Sequence, residues 1–577
     1  MHSRSARIRW IMLIIVVLAA AGFLLSKVDW YGTKHLYCTG DCAYDETLRA
    51  VLPASESGRS PDVATLDPAR ALGDTNSMIV VGQLFDGLVT LDKNLSIEPW
   101  GARSWTISPD GLTYTFTLTA NQQFSEGAPL HASDYAWSLN RSIDPCFGES
   151  SSAVYWALIK DASAFHAESC RDGHADGAIM TLVGRSITPD DKTNTLTITL
   201  ARPAGYFLAT LAYPWAFVVE RRVVAGQNIG KDGRWLDHLG DGQTGQGGSG
   251  MFYLSKWDHN GVLVVKPNPN WWGAKYGMKP NFTEVDYTFV GASGASGASF
   301  DAFKADAAQS FTNMLPDSPS APVSSLAKYS YYHEQSALNM IWLTFDQRKA
   351  PFDDLNARKA FCLAINREYL NQRVYQHTVI SSWHLIPQSM PGFNVALEGV
   401  DGALLTGDTL LAQQYWRNYL AAHGARAPAL TLYAPSRDSD GGQMMTTLRD
   451  LWRETLGVSI GLAASPSSAN VTPIAVRPDY PDPQAFMSQA VAPGGQRVSV
   501  PGADALLRRA DALAETSQRL PLYQQAEQLL IDNVAVCPLF QSVNYYAMRT
   551  RLRAFTEDGR GLIPNDAWLR GYIARVQ

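Results

Sequence analysis

Asp110-Gly111-Leu112-Thr113-Tyr114-Thr115-Phe116-Thr117-Leu118 is followed closely by Phe124-Ser125-Glu126-Gly127-Ala128-Pro129-Leu130 and Ala132-Ser133-Asp134, and the fold is decided here. Asp110-Gly111 supplies a hairpin turn, because glycine accepts the positive φ that such turns need. From Tyr114 to Leu118 threonines alternate with larger residues, the period-two pattern of a half-buried strand. Ala132–Arg141 reads as a helix opened by Ser133 and Asp134, short polar side chains suited to a first turn. Turn, strand and helix in such quick succession call for a mixed architecture.

The same mixture continues outward. Met78–Leu84 suits a helix entering Phe85-Asp86-Gly87, and Thr195–Leu200 is a second alternating strand. Phe252–Trp257 and Val262–Lys266 form a hairpin around Asp258–Gly261. Asp353–Tyr375 and Ser517–Asn533 are the clearest amphipathic helices, while residues 26–60 read as a polar connector. Gly291–Ser299 repeats Gly-Ala-Ser, a low-complexity loop. The fold class is α/β (mixed α+β).

Length and composition bound the function. The chain has 577 residues, room for several domains. Its 46% hydrophobic content against 18% charged residues is enough to bury large cores. Basic and acidic side chains nearly cancel, 48 against 54, and no polybasic face marks a nucleic-acid partner. The 16 Trp and 24 Tyr suit either a protein that grips ligands with flat amphipathic rings or ordinary cores.

Arg4, Arg7 and Arg9 precede Ile11–Leu25, an uncharged apolar run of 15 residues. Positive charges ahead of such a run read as a secretory signal or signal-anchor over residues 1–26. The expected location is therefore periplasmic, with an uncleaved segment tethering the protein to the inner membrane as the variant case. Export permits disulfides. Cys146 and Cys170 flank a loop of moderate length and are expected to bridge; Cys38 and Cys42 flank a tight polar turn; Cys362 and Cys537 read as core thiols. His35 with Cys38 and Cys42 lacks the second ligand pair of a zinc site, so no metal and no cofactor is expected.

Catalytic signatures are missing. Gly245-Gln246-Gly247-Gly248-Ser249-Gly250 satisfies G-x-G-x-x-G but precedes a strand, whereas a dinucleotide loop follows a strand and opens a helix. No HExxH, Walker loop or G-x-S-x-G occurs, and the 11 histidines show no ligand spacing. The expectation is a protein that is not an enzyme.

Six segments, in order along residues 61–577, resemble the extracytoplasmic solute-binding proteins of ABC importers, family 5, the oligopeptide- and dipeptide-binding group. They begin with Thr65-Leu66-Asp67-Pro68 and Phe85-Asp86-Gly87-Leu88. The stretch quoted above follows, preceded by Glu98-Pro99 and Ala102-Arg103-Ser104-Trp105. Then come Gly248-Ser249-Gly250-Met251-Phe252-Tyr253-Leu254 with Trp257, and Pro267-Asn268-Pro269-Asn270-Trp271-Trp272-Gly273. Pro351-Phe352-Asp353-Asp354, Arg358-Lys359-Ala360 and Ile365-Asn366-Arg367-Glu368 form the fourth. Asp479-Tyr480-Pro481-Asp482-Pro483 is the fifth; Arg519, Tyr523 and Ala526-Glu527-Gln528 through Cys537-Pro538-Leu539-Phe540 close the series. Most of these residues read as turns and packing.

The resemblance implies a bilobed periplasmic-binding-protein clamp with a hinge between the lobes and lobe two inserted in lobe one. The expected boundaries are a connector over 27–60, lobe one over 61–286, lobe two over 287–535 and a return to lobe one over 536–577. It also implies a monomeric receptor that captures peptides and delivers them to an ABC permease and its ATPase subunits. The same fold with another cargo (a metal chelate, an opine, a sugar or a murein peptide) and a membrane-tethered envelope scaffold or sensor are the alternatives.

In the family the Asp of Asp-Tyr-x-x-Pro meets the ligand's free amino group, which points to Asp479 with Tyr480 beside it. A turn-capping role is the structural alternative. This chain has Val476 where relatives often carry Trp, and Pro478 removes a backbone donor next to the aspartate. Arg477 shares a face with Asp479 in an extended chain and either pairs with it or reaches an anionic ligand group. Asp74 and Thr75, in a loop that lines the cleft in relatives, and Tyr155 and Trp383 complete the carried-over set, with a core role the alternative for Trp383.

Overall fold

The computed structural model describes residues 47–53, 62–71, 74–92, 94–147, 157–226, 247–259, 261–277, 280, 282–290, 310–311, 332–424, 428–435, 439–495 and 497–548. The N-terminal apolar run, Cys38, Cys42, Tyr155 and the Gly-Ala-Ser loop lie outside them.

The decisive stretch forms as its pattern requires. Gly111 has φ +70° at the turn, and Thr113–Leu118 alternates half-buried and buried residues, with Tyr114, Phe116 and Leu118 inward. This strand is central in a four-stranded antiparallel sheet with Ala102–Ile107, Thr195–Thr199 and Ile187–Asp190. The helix covers Ala132–Ile143, and its opening differs from expectation. His131 is the cap residue, and Asp134 turns back to accept the His131 backbone N–H at 2.8 Å. Ser133 instead donates to Asp191.

A larger sheet runs through the molecule. One end is Phe252–Trp257, Val262–Pro267, Glu284–Val290, Thr47–Pro53 and Ser310–Phe311; the other is Cys537–Met548, Tyr332–Phe345, Val471–Val476, Leu430–Leu432 and Ile460–Leu462. Thr47–Pro53 corrects the reading of 26–60 as connector throughout. It pairs in parallel with all seven residues of Glu284–Val290, and Leu48, Ala50 and Leu52 are buried. Cys537–Met548 lies between Ser310–Phe311 and Tyr332–Phe345, and is the only strand among the described residues joining the two ends. Its first residues pair with Leu343–Met340 and its later ones with Ser336–Tyr332, so the return begins inside the far half of the sheet.

Two apolar cores flank this sheet. One gathers Leu48–Phe85 with Phe217–Phe289; the other joins Leu88–Val218 to Leu338–Phe540. Asp86, fully buried in Phe85-Asp86-Gly87, is the polar centre of the first region. Its carboxylate accepts the indole N–H of Trp100 at 2.8 Å and those of Trp271 and Trp272 at 2.9 Å each. Buried carboxylates need such donors because desolvation is otherwise uncompensated. Asp67, also fully buried, caps the Pro68–Arg70 turn and holds both terminal nitrogens of Arg141.

Two further expectations are corrected. Asp353–Tyr375 is not one helix. Leu355–Leu363 ends near Ala364, Asn366 caps a new turn at Arg367–Leu370, and Asn371–Tyr375 is a π-turn closed by left-handed Gln376. Cys362 and Cys537 are not thiols but a disulfide, Cα atoms 5.8 Å apart, tying this helix to the return strand. Cys146 and Cys170 also form a disulfide, with Cα atoms 5.0 Å apart.

Candidate functional site

Asp479 lies three residues beyond Val471–Val476, a strand parallel to Leu430–Leu432. Along its length that strand runs antiparallel to Tyr332–Phe345, and Asp479 follows its carboxyl end. Asp479 is open to solvent and has no hydrogen-bond or ion-pair partner among the described residues. Surrounding protein still partly desolvates its carboxyl and raises its pKa above the usual value. An uncommitted carboxylate in such a place favours a cation, because the bond it would form is charge-assisted. Asp479 caps no turn; Asp482 does, accepting the Gln484 N–H at 2.9 Å as the cap of helix Pro483–Val491. Arg477 is exposed and does not neutralise Asp479, which removes the pairing alternative.

The strand beside Asp479 carries polar groups that sequence reasoning missed. Met340 pairs with Val476. Just before it, Ser336 faces Val543 while Met340 faces Gln541, so Ala337–Asn339 form a bulge. A bulge re-aims side chains and breaks the ladder. Asn339 donates to Ser542 Oγ at 3.0 Å, and its own carbonyl oxygen is buried without a partner. Gln388 donates to Ser336 Oγ at 2.8 Å. The available signal was Asn339 interrupting the apolar run from Ala337 to Leu343.

The other described carried-over residues make contacts within the protein. Tyr480 is buried, stacks on Tyr206 with centroids 5.5 Å apart, and donates to Gln484 Oε1. Trp383 is buried with the Arg367 guanidinium 3.3 Å from its ring centroid, the core alternative. Arg367, fully buried, donates to Pro538 O at 2.8 Å and contacts both disulfide sulphurs; burial lowers its pKa to about 9. Asp74 caps helix Thr75–Leu84, accepting the Ser77 N–H at 2.8 Å, and Thr75 is that helix's first residue. Among the described members of the predicted set, Arg477, Asp479 and Tyr480 lie together on one segment, and Asp74 and Thr75 on another. Among the described residues no group of His, Cys, Asp and Glu has a metal-binding arrangement.

Residues 96–497 match the family of bacterial extracellular solute-binding proteins, family 5 Middle. The chain is 23% identical to the oligopeptide-binding protein OppA of Bacillus subtilis (strain 168), over 97% of this chain and 98% of that protein. It is 24% identical to the periplasmic murein peptide-binding protein MppA of Escherichia coli (strain K12), over 88% of each. It is also 24% identical to the probable deoxycholate-binding periplasmic protein YgiS of the same strain, over 83% of this chain and 86% of that one. The unliganded open form of MppA superposes with a TM-score of 0.73 at 21% identity, over 90% of this chain and 96% of that structure. The fold and the family match agree: this chain belongs to the bacterial extracellular solute-binding proteins, family 5.

Proposed function

We propose that this receptor captures short peptides by their free amino terminus and delivers them to an ABC permease with its ATPase subunits. The expected lobes, 61–286 with the return 536–577 and the inserted 287–535, close around the ligand; Thr47–Pro53 pairs with Glu284–Val290 at the edge of the first, and Cys537–Met548 begins its return paired with Met340–Leu343 of the second. No bond is made or broken. The observation that carries the reading is Asp479: solvent-open, partly desolvated, without a partner among the described residues, and three residues past Val476, whose partner Met340 borders the bulge Ala337–Asn339. A ligand ammonium is the group such a carboxylate lacks, and the bulge offers acceptors and donors for a peptide backbone. Export to the periplasm, with an uncleaved N-terminal tether as the variant case, and a monomeric state belong to the same proposal.

Titration calorimetry with matched free and N-acetylated tripeptides tests it. Asp479→Asn keeps the shape and removes the charge. A charge-assisted bond contributes about 1.5–3 kcal/mol against about 1 for a neutral one, so free peptides lose roughly tenfold in affinity. Acetylated peptides bind weakly to wild type and lose little more. Equal losses for both forms would remove Asp479 from the site. A second reading, a non-peptide solute, is favoured by Pro478, which takes away a backbone donor beside Asp479. Failure of every tripeptide to bind would select it.

A further inference from the structure

The segment that bears Asp479 is held on both sides, by one strand pair and by one ring stack. On one side, Val476 is held by pairing with Met340. On the other, the Tyr480 ring lies nearly parallel to Tyr206, 6° between planes, and its hydroxyl is taken by Gln484. Between them Pro478 locks its own φ and disfavours helical Arg477. Tyr206 is itself fixed. Arg202 donates to its hydroxyl at 2.8 Å, and the preceding Gly205 N–H donates to Asp511 O at 2.8 Å. The facing wall is tied by Arg519 to Asp482 at 2.7 Å and by Tyr523 to Asp511 at 2.6 Å. A Cβ on Gly205 would lie 1.8 Å from Leu513 O, so the two walls touch through backbone.

We propose that Tyr206 is a positioning residue for ligand recognition: its stack on Tyr480 holds Asp479 in the place where it meets a ligand's amino group. The inference rests on the reading of Asp479 given above. Restricting the segment before binding means that less freedom is lost when the ligand arrives. The stack also joins the residue next to the ligand contact to a segment that the chain reached far earlier, so seating of the ligand and seating of the two walls are mechanically linked.

The test compares Tyr206→Ala, Tyr206→Phe and Gly205→Ala in the full chain, by calorimetry with free and N-acetylated tripeptides and by hydrogen exchange without ligand. Tyr206→Phe keeps the stack and retains the wild-type preference for the free amine. Tyr206→Ala and Gly205→Ala reduce that preference from roughly tenfold to about twofold or less, because a loosened carboxylate no longer distinguishes the amine. General destabilisation would instead weaken both peptide forms alike and leave the ratio unchanged, which would overturn the proposal. Exchange over residues 480–486 of the free protein should quicken in Tyr206→Ala and not in Tyr206→Phe. If wild type does not distinguish the two peptides, the reading of Asp479 fails and this proposal falls with it; if wild type distinguishes them, the exchange result tests the positioning role alone. Unchanged exchange in Tyr206→Ala would refute it.

Discussion

Replacing Asp86 by Ala should cost more stability than almost any other single polar deletion in this protein. Three indole N–H groups converge on its carboxylate, Trp100 on one oxygen at 2.8 Å and Trp271 and Trp272 on the other at 2.9 Å. Trp271 and Trp272 are 1% and 6% exposed, so water cannot replace the lost acceptor there; Trp100 is only part-buried and can turn to solvent. Hydrogen bonds to a charged group contribute about 1.5–3 kcal/mol each, and a stranded buried donor carries its full desolvation penalty. Counting the two dry indoles alone, Asp86→Ala should lose about 3–6 kcal/mol. With a urea slope of about 2 kcal/mol per molar, the unfolding midpoint falls by about 1.5 M or more. Asp86→Asn should lose roughly half as much, since the amide oxygen can still serve the Trp271 and Trp272 pair while its NH2 faces Trp100. Urea titration followed by tryptophan emission reads both effects. A loss below about 1 kcal/mol for Asp86→Ala would refute the argument, because the indoles would then have other acceptors.

Three more predictions follow from features of the same kind. Removing the Cys146–Cys170 bridge, which closes a 24-residue separation, should cost about 3 kcal/mol by relaxing the unfolded chain, read as the difference between oxidised protein and a double Cys→Ala variant in urea. Arg519→Ala leaves Asp482 buried without its partner and should destabilise by about 3–5 kcal/mol, whereas replacing both with apolar residues should cost less. Peptide affinity should weaken on acidification, beginning above the ordinary carboxyl value of 3.8, because a proton and the ligand ammonium compete for the Asp479 carboxylate and burial raises its pKa. Asp479→Asn should flatten that limb; an unchanged profile would assign it to another group.

The sequence disclosed what is local. Tyr114–Leu118 carried its own alternation, and the Asp110-Gly111 turn carried its own chemistry. Thr47–Pro53 escaped notice because it is short, follows a polar stretch, and has its partner far along the chain at Glu284–Val290. The same distance hid the Asp86 centre: the donors Trp271 and Trp272 stood in a segment that read as turn and packing, and nothing nearby announces their acceptor. Cys362 and Cys537, 175 residues apart, each sat in an apolar pattern that an unbridged cysteine would equally satisfy. At the proposed site, the Asp-Tyr-x-x-Pro pattern pointed to Asp479 and Tyr480 together and did not separate the exposed aspartate from the buried tyrosine. Which of two adjacent residues faces inward depends on Tyr206, and that choice is tertiary.

The position of Cys537–Met548 between Ser310–Phe311 and Tyr332–Phe345 bears on the order in which the protein can be assembled. The strand at the middle of the large sheet is the last described one to leave the ribosome. Until it arrives, the halves on either side each present a raw edge of unpaired N–H and C=O groups, open to pairing with another chain. The growing chain must therefore be kept apart from its neighbours almost to its end. A chain cut short before Cys537 would not lose a peripheral tail; it would leave two incomplete sheets, each with a sticky border, and its expected fate is aggregation rather than a smaller receptor.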